Sequence, residues 1–210
     1  NRSPAYQFPA QLRGNKGVGI VRGVKKINEL ERDFRISHQG CFHIVLAEGQ
    51  ARRRQPAKAI IGQGGRRISE AQSWQHIAGY SCYNDGSVRD WQVATSQWTP
   101  GKNFYKTGGF GPWMVTSDEI APAQVMRLQT VLNGQVLQDT TTDKMIHSIP
   151  RQIAYISTFI PLSPGDVIVT GTPGGVGNKR TPQIFMKPGD VCEIVVDAIG
   201  TLRNGIRDDA

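Results

Sequence analysis

Residues 79–92 read GYSCYNDGSVRDWQ and are the most informative stretch for predicting the fold. Residues 80–83 combine aromatic and small side chains in a short run, which predicts a β-strand. Asn84, Asp85 and Gly86 follow at once and favour a turn. Catalytic side chains are often carried where a rigid strand ends. The stretch therefore predicts a strand whose far end presents polar groups.

Three of those polar groups are candidates for chemistry. Asp85 offers a hard carboxylate of the kind that Mg²⁺ and Ca²⁺ prefer. Arg89 and Gln92 are three residues apart, so they could share one face of a helix, and an arginine can bind a carboxylate through two parallel hydrogen bonds. An Asn-Asp turn followed by a helix with a surface arginine would explain the same spacing, and spacing alone does not decide between the two.

Downstream, residues 98–104 read WTPGKNF and place Lys102 among glycine, proline and aromatic residues. A lysine fixed in such a segment can polarise a carbonyl group or stabilise an enolate. The alternative is a solvated loop lysine, the common situation for this residue type.

A glycine-rich loop, GTPGGVG, occupies residues 171–177 after a predicted strand at 166–170. Its backbone N–H groups and the Thr172 hydroxyl could bind an anion. The spacing matches neither the P-loop nor the dinucleotide-binding pattern, so a nucleotide cofactor is not indicated. A plain turn is the alternative, although the loop holds more glycines than one turn needs.

Further strands and helices complete the predicted fold. Asn133-Gly134 between residues 125–132 and 135–140 is a strong hairpin signal. Ser148 is expected to cap a helix with isoleucines at 149, 153, 156 and 160 on its buried face. A second helix is expected from Ser69 to Gly79, and a third over residues 24–34. Strands are expected at 42–46, 59–61, 112–116 and 191–196. The pattern predicts a β-rich α+β fold with a mixed, barrel-like sheet.

Charge is distributed unevenly along the chain. Residues 1–58 hold 12 Lys+Arg and 4 Asp+Glu, a difference of +8, whereas residues 59–210 hold 13 of each. A basic arm can contact nucleic acid, but the run Arg52-Arg53-Arg54 has no interleaved aromatic on which a base could stack. Nucleic-acid binding is therefore not favoured.

Cysteine usage and hydropathy indicate the cellular compartment of the protein. The three cysteines, Cys41, Cys82 and Cys192, are widely spaced and form no C-x-x-C pair, so we expect reduced thiols and no zinc site. No apolar run approaches the length of a membrane span, and the first twenty residues do not resemble a signal peptide. These features predict a cytoplasmic protein without a membrane anchor.

Taken together and in order, the motifs of residues 59–206 resemble the fumarylacetoacetate hydrolase family. They are GYxxxND at 79–85, RDWQ at 89–92, WTPGKNF at 98–104, FGPW at 110–113, NG at 133–134, SIP at 148–150, PGD at 164–166, TGTPGGVG at 170–177 and IGTLRN at 199–204. Several ordered motifs are far more specific than any single one. The sequence thus divides into an atypical basic segment, 1–58, and a catalytic domain of this family, 59–210.

The resemblance implies a mixed β-sheet roll, usually a homodimer, that acts on small 2-oxo or 2,4-dioxo acids. It implies a C–C bond hydrolase or a hydroxymuconate-type isomerase or decarboxylase. A Mg²⁺, Mn²⁺ or Ca²⁺ ion would chelate the 2-oxo and carboxylate oxygens of the substrate, with Asp85 as a metal ligand. Lys102 would be catalytic, and Arg89, Gln92 and Thr172 would bind the substrate.

The segment before residue 59 departs from the family pattern. The family's paired Glu-x-Glu ligands would fall on Arg53 and Gln55, and no His-x-x-Glu lid motif occurs. Either the protein has diverged, or residues before about Lys58 are not the natural reading frame. An active metal-dependent enzyme and an inactive scaffold that kept the family's sheet both remain open.

Overall fold

A computed structural model describes residues 58–94 and 96–208, together with the backbone of three short strands before residue 58. The described part of the chain forms strands and two helices. The strands are β1 (Ile20–Val21), β2 (Val24–Lys26), β3 (His43–Val45), β4 (Lys58–Ile61), β5 (Ile77–Asn84), β6 (Gly109–Thr116), β7 (Arg127–Leu132), β8 (Gln135–Thr141), β9 (Val167–Val169), β10 (Val191–Val196) and β11 (Gly200–Gly205). The helices are α1 (Arg89–Val93) and α2 (Ile149–Phe159).

Two sheets organise these strands. The larger runs β1-β2-β6-β5-β4-β9-β3, with β3 parallel to β9 and every other pair antiparallel. The smaller is antiparallel and runs β11-β10-β7-β8. The prediction of a β-rich α+β fold with a mixed sheet is confirmed.

The hydrophobic core is built from alternate residues of both sheets. Tyr80 and Cys82 of β5 are buried in one cluster with Ile194 and Val196 of β10. The thiol of Cys82 lies 3.6 Å from the carbonyl oxygen of Gly200, which belongs to β11. Since side chains alternate along a strand, Ser81 and Tyr83 must point to the opposite face of the large sheet. That second face carries the site described below.

The β7–β8 hairpin turns where the sequence indicates. Asn133 and Gly134 have φ angles of +49° and +81°, the left-handed conformation that a tight two-residue turn requires. The Asn133 side chain donates to Asp190 and accepts from the backbone N–H of Val191, both at 2.8 Å. The turn is thereby tied to the start of β10.

Helix α2 also follows its pattern. The Ser148 hydroxyl accepts a hydrogen bond from the backbone N–H of Arg151 at 3.3 Å, as an N-cap should. Ile149, Ile153 and Ile156 are buried against the sheets. Ile160 follows the last helical residue and is only half-buried. Neither α1 nor α2 has the length and apolar character that crossing a bilayer requires.

One predicted helix is wrong, and a second is contradicted over its first three residues. Between Ser69 and Gly79 there is a single 3-10 turn at Ser73–His76, and β5 begins at Ile77, which pairs with Ile61 of β4. Val24, the first residue of the other expected helix, begins β2, which pairs with β6. In both places strand pairing with distant residues overrides a local helical pattern. Residues 27–34 of the second helix lie outside the described residues.

Candidate active site

Asp85 comes directly after the last residue of β5. Ser81 and Tyr83 are two residues apart on β5 and alternate with the core residues Tyr80 and Cys82. The Asp85 side chain is 25% exposed, which leaves its carboxylate open to a ligand. The expected polar strand end is therefore present.

Lys102 reaches back to this strand end. Its Nζ lies 2.7 Å from Oδ2 of Asp85 and 2.7 Å from the hydroxyl oxygen of Ser87, and its side chain is only 14% exposed. A lysine with two fixed acceptors is not the solvated loop lysine of the alternative interpretation. Its ammonium group has a defined position beside the Asp85 carboxylate.

Lys102 is positioned by a close contact between α1 and the 3-10 turn Thr99–Lys102. The backbone N–H of Val88 donates to the carbonyl of Gly101 at 3.0 Å. A Cβ atom on Gly101 would lie 2.5 Å from the Cα of Gln92. Only glycine allows the two segments to approach this closely, and the approach brings residue 102 next to residue 85.

Arg89 and Gln92 form a second pair on α1. Nη1 of Arg89 donates to Oε1 of Gln92 at 2.6 Å, and Gln92 is 2% exposed. A buried amide therefore orients the guanidinium group, which has further N–H donors with which it could bind an anion. Trp91 of α1 packs edge-to-face on Phe104, with ring centroids 5.4 Å apart, and joins α1 to the lysine segment.

Thr172 is held by different elements. Nε2 of Gln138, on β8, donates to the Thr172 hydroxyl at 3.1 Å and to the carbonyl of Pro173 at 2.9 Å. Oε1 of Gln138 accepts from the Thr130 hydroxyl of β7 at 2.7 Å. These bonds connect Thr172 to the small sheet, whereas the other four candidate residues are linked around β5 and α1. Sequence reasoning missed Gln138, because a single glutamine in a strand carries no signal.

Some of the glycines in the 171–177 loop are explained by packing. Gly175 has a φ angle of +101°, and a Cβ there would lie 2.6 Å from the carbonyl oxygen of Leu137 on β8. Nε of Arg180 donates to the Gly175 carbonyl at 2.9 Å. The loop thus lies against β8, and its glycine content is not by itself a sign of anion binding.

Lys58, the first residue of β4, is the unexpected member of the site. It pairs with Ser81 in the sheet, is 0% exposed, and its Nζ lies 4.4 Å from the centroid of the Tyr83 ring. Among the described residues Nζ has no hydrogen-bond partner. Burial lowers the pKa of Lys58 well below its ordinary value; the Asp85 charge opposes that shift and the Lys102 charge adds to it. Burial also raises the pKa of Tyr83 to about 12.

Sequence reasoning placed Lys58 at the end of the basic segment. The available signal was its position directly before the apolar run Ala59-Ile60-Ile61, which makes it part of a buried strand rather than of a solvated arm. Lysine at the start of a strand usually extends its ammonium group to water. Only the neighbours contributed by β5 and β9 show that it does not do so here.

The described side chains do not by themselves fit a divalent metal ion. Such ions take several oxygen ligands, and Asp85 supplies one carboxylate, of which Oδ2 already accepts a bond from Lys102. Within residues 58–94 and 96–208, no three His, Cys, Asp or Glu side chains converge as a ligand group. Arg53 and Gln55, where the family's paired glutamates were expected, lie outside the described residues.

The sequence matches a known protein family over most of the described residues. Residues 58–207 match the model of the fumarylacetoacetate hydrolase C-terminal domain. Over 149 residues the chain is 38% identical to a mitochondrial oxaloacetate tautomerase of Xenopus laevis, covering 70% of this chain and 47% of that protein. The chain thus spans about half the length of that relative.

Comparison with solved structures indicates the same family. A probable 2-hydroxyhepta-2,4-diene-1,7-dioate isomerase from Mycobacterium abscessus superimposes with a TM-score of 0.70 and 30% identity, covering 75% of this chain and 60% of that one. A fumarylpyruvate hydrolase from Pseudomonas aeruginosa, in complex with Mn²⁺ and pyruvate, superimposes with a TM-score of 0.67 and 26% identity, covering 78% and 70%. The protein therefore belongs to the fumarylacetoacetate hydrolase family, as its ordered motifs predict.

Proposed function

We propose that this protein is an enzyme that acts on small 2-oxo or 2,4-dioxo acids by stabilising their enolate form. The observation that carries this proposal is the arrangement of Lys102 and Asp85, joined at 2.7 Å where β5 ends. A cation in a fixed position beside a half-buried carboxylate suits a reaction in which negative charge develops on a carbonyl oxygen. The relatives are named as tautomerase, isomerase and hydrolase.

Each candidate residue receives a role in this proposal. Lys102 donates a hydrogen bond to the oxygen that becomes the enolate. Arg89, oriented by Gln92, binds the adjacent carboxylate through its free N–H donors. Thr172, held by Gln138, binds the distal carboxylate of a diacid. Holding both ends of the substrate converts the proton transfer into an effectively intramolecular step.

The reaction class follows from what the enolate does next. Return of the proton to carbon gives a tautomerase or isomerase, and loss of an acyl group to water gives a C–C bond hydrolase. The test is a panel of the oxaloacetate enol, an acylpyruvate and a muconate-type diacid, each followed by ultraviolet absorbance. We expect turnover of at least one of them. Rates equal to those in buffer for the whole panel would contradict the proposal.

We also propose that a divalent ion, Mg²⁺ or alternatively Mn²⁺ or Ca²⁺, binds at Asp85. The support is the Mn²⁺ in the fumarylpyruvate hydrolase structure and the hard carboxylate of Asp85. Calorimetric titration of Mg²⁺ and Mn²⁺, with and without oxalate as a mimic of a 2-oxo acid, tests this idea. Binding that oxalate strengthens supports it, and no binding at millimolar metal contradicts it.

An inactive scaffold is the second candidate function. It is favoured by the donor set of the described residues, in which the Asp85 carboxylate is neutralised by Lys102 and no three metal ligands converge. A scaffold would fold normally, ignore the whole substrate panel and show the same melting temperature with and without oxalate. Stabilisation by oxalate would speak for a preserved binding site.

The proposed location is the cytoplasm. Cys82 and Cys192 are buried and unpaired, as expected of a protein kept in a reducing compartment. The Xenopus laevis relative is named as mitochondrial, and a mitochondrial matrix is also reducing. Fractionation of cells that make the full-length protein distinguishes the two locations.

A further inference from the structure

The Lys58 amine is buried and has no acceptor in the part of the chain that the structure describes, which is an unfavourable arrangement for a charged group. Its side chain is fully enclosed at the start of β4, and its Nζ approaches the face of the Tyr83 ring rather than an oxygen atom. Among the described residues no hydrogen-bond partner satisfies that nitrogen. An ammonium ion is strongly penalised in such surroundings, whereas a neutral amine is not.

The two lysines of the site therefore have different chemistry. Lys102 donates to Asp85 and Ser87, so its nitrogen is held as an ammonium ion between two oxygens. Lys58 is bonded to neither oxygen. Burial disfavours the charged form of the Lys58 amine, the Asp85 charge opposes that effect, and the Lys102 charge adds to it. Desolvation in an enclosed site is one condition that makes a lysine nucleophilic.

Lys58 is also on the correct face of the sheet. It pairs with Ser81, which shares its face of β5 with Tyr83, and Asp85 follows directly after the last residue of that strand. The Asp85–Lys102 pair is partly open to solvent, whereas Lys58 is closed off. To react, the Lys58 side chain must turn about its four rotatable bonds, away from the Tyr83 ring and towards a carbonyl carbon bound at that pair.

We propose that Lys58 is a nucleophile that forms a Schiff base with the C2 carbonyl of a 2-oxo acid bound beside Asp85 and Lys102. This inference rests on the substrate class proposed above and adds a covalent step to it. It gives the enclosed amine a partner, the carbonyl carbon, where residues 58–94 and 96–208 supply none.

The step is balanced without an oxidant or a reductant. The nitrogen lone pair forms the N–C bond, and the carbonyl oxygen takes up the two protons that the nitrogen loses and leaves as water. A further proton on nitrogen gives the iminium ion. That ion withdraws electrons from a bond to C3, so loss of a C3 proton to a base, or transfer of the C3 acyl group to water to give a carboxylic acid, leaves an enamine in place of an enolate.

Reductive trapping tests the inference directly. The full-length wild-type protein is incubated with pyruvate, the smallest 2-oxo acid, and sodium borohydride, and the modified lysine is located by peptide mass mapping. We expect one adduct, on Lys58. Lys58→Met should abolish it, and Lys144→Met should not, because Lys144 is an exposed lysine whose partner is Asp143. Mapping on the wild-type protein gives a result even if the Lys58 variant folds poorly.

Turnover of the substrate panel, measured on the same preparation, separates this inference from the proposed function. Turnover without an adduct on Lys58 overturns the Schiff base and leaves the enzyme. An adduct on Lys58 without turnover supports the nucleophile and counts against the enzyme. An adduct on Lys102, scattered modification of surface lysines, or no adduct at all overturns the inference.

Discussion

At the scale of single residues, the site depends on two amines that differ in what surrounds them. Lys102 is bound by a carboxylate and a hydroxyl, and Lys58 by an aromatic ring alone among the described residues. Both residues are lysines, but Lys102 is paired with the Asp85 carboxylate, whereas burial disfavours the charged form of Lys58. Environment rather than residue type sets the chemistry of each.

Replacing Lys102 should remove the fixed cation. We expect Lys102→Ala to lower kcat by a factor of ~10²–10³ on whichever substrate of the panel is turned over, which is the usual effect of losing one electrostatic stabiliser. Lys144→Ala, in an exposed ion pair with Asp143, is the matched control and should keep the wild-type rate. An unchanged rate in Lys102→Ala would exclude this lysine from the chemistry.

Lys58 should make stability depend on pH. Its pKa is lowered in the folded protein by burial and by Lys102, against the opposing effect of Asp85. The unfolded chain therefore binds more protons, and the free energy of unfolding should rise with pH until the ordinary lysine value of 10.5 is reached. Tyr83, with a pKa raised to about 12, stays uncharged over that range.

The measurement is urea unfolding of the wild type and of Lys58→Met at a series of pH values. Methionine has no titrating group. The free energy of unfolding of Lys58→Met, relative to that of the wild type, should therefore be highest at the acid end of this range and lowest near pH 10.5. A constant difference between the two proteins over the whole series would show that Lys58 does not titrate differently in the folded and unfolded states.

At the scale of elements, the contact of α1 with the turn Thr99–Lys102 determines where Lys102 lies. Gly101 is buried against the backbone of Gln92, and the hydrogen bond from Val88 closes the contact. Arg89 and Gln92 are on the same short helix. A shift of this contact would therefore change the positions of Arg89, Gln92 and Lys102 together.

Gly101→Ala is therefore expected to affect stability and activity at once. A methyl group 2.5 Å from the Cα of Gln92 forces the two segments apart, and such overpacking costs about 1–3 kcal/mol. Displacement of Lys102 should lower kcat as well. Gly205→Ala is the control, since a Cβ there meets no atom within 4 Å. Equal melting temperatures for the two variants would contradict this account.

At the scale of the whole molecule, exposed aromatic side chains suggest a further contact surface. Tyr155 and Phe159 on the outer side of α2 pack edge-to-face, with centroids 5.5 Å apart, and are 61% and 53% exposed. Large apolar side chains that are adjacent and exposed often mark an interface. We propose that a second copy of this chain covers the surface formed by Tyr155 and Phe159. This agrees with the homodimer that the family resemblance implies.

Sedimentation equilibrium of the full-length protein checks this proposal. We expect twice the mass of one chain at micromolar concentration, and Phe159→Lys should shift the equilibrium towards the single chain because it places a charge in an apolar contact. Tyr105→Lys, at an exposed aromatic that is not part of α2, serves as the control. A mass of one chain at every concentration would exclude the dimer.

The features that the sequence determined by itself are those that depend on near neighbours in the chain. The Asn133-Gly134 turn, the Ser148 cap and the alternation of Cys192, Ile194 and Val196 are present in the structure, because turn chemistry, capping and strand periodicity act over a few residues. The ordered motifs also identified the family. The candidate site residues were named in this way, although their roles stay predictions.

Strand pairing, ion pairing and burial depend on residues that are distant in the sequence, and they are seen only in the folded structure. It turned the expected helix before Gly79 into the start of β5, since pairing with β4 stabilises the extended backbone of Ile77. It joined Lys102 to Asp85, which is 17 positions away in the sequence. It enclosed Lys58, whose surroundings come from β5 and β9. Burial and charge pairing depend on packing across the molecule, and no short stretch of sequence contains them.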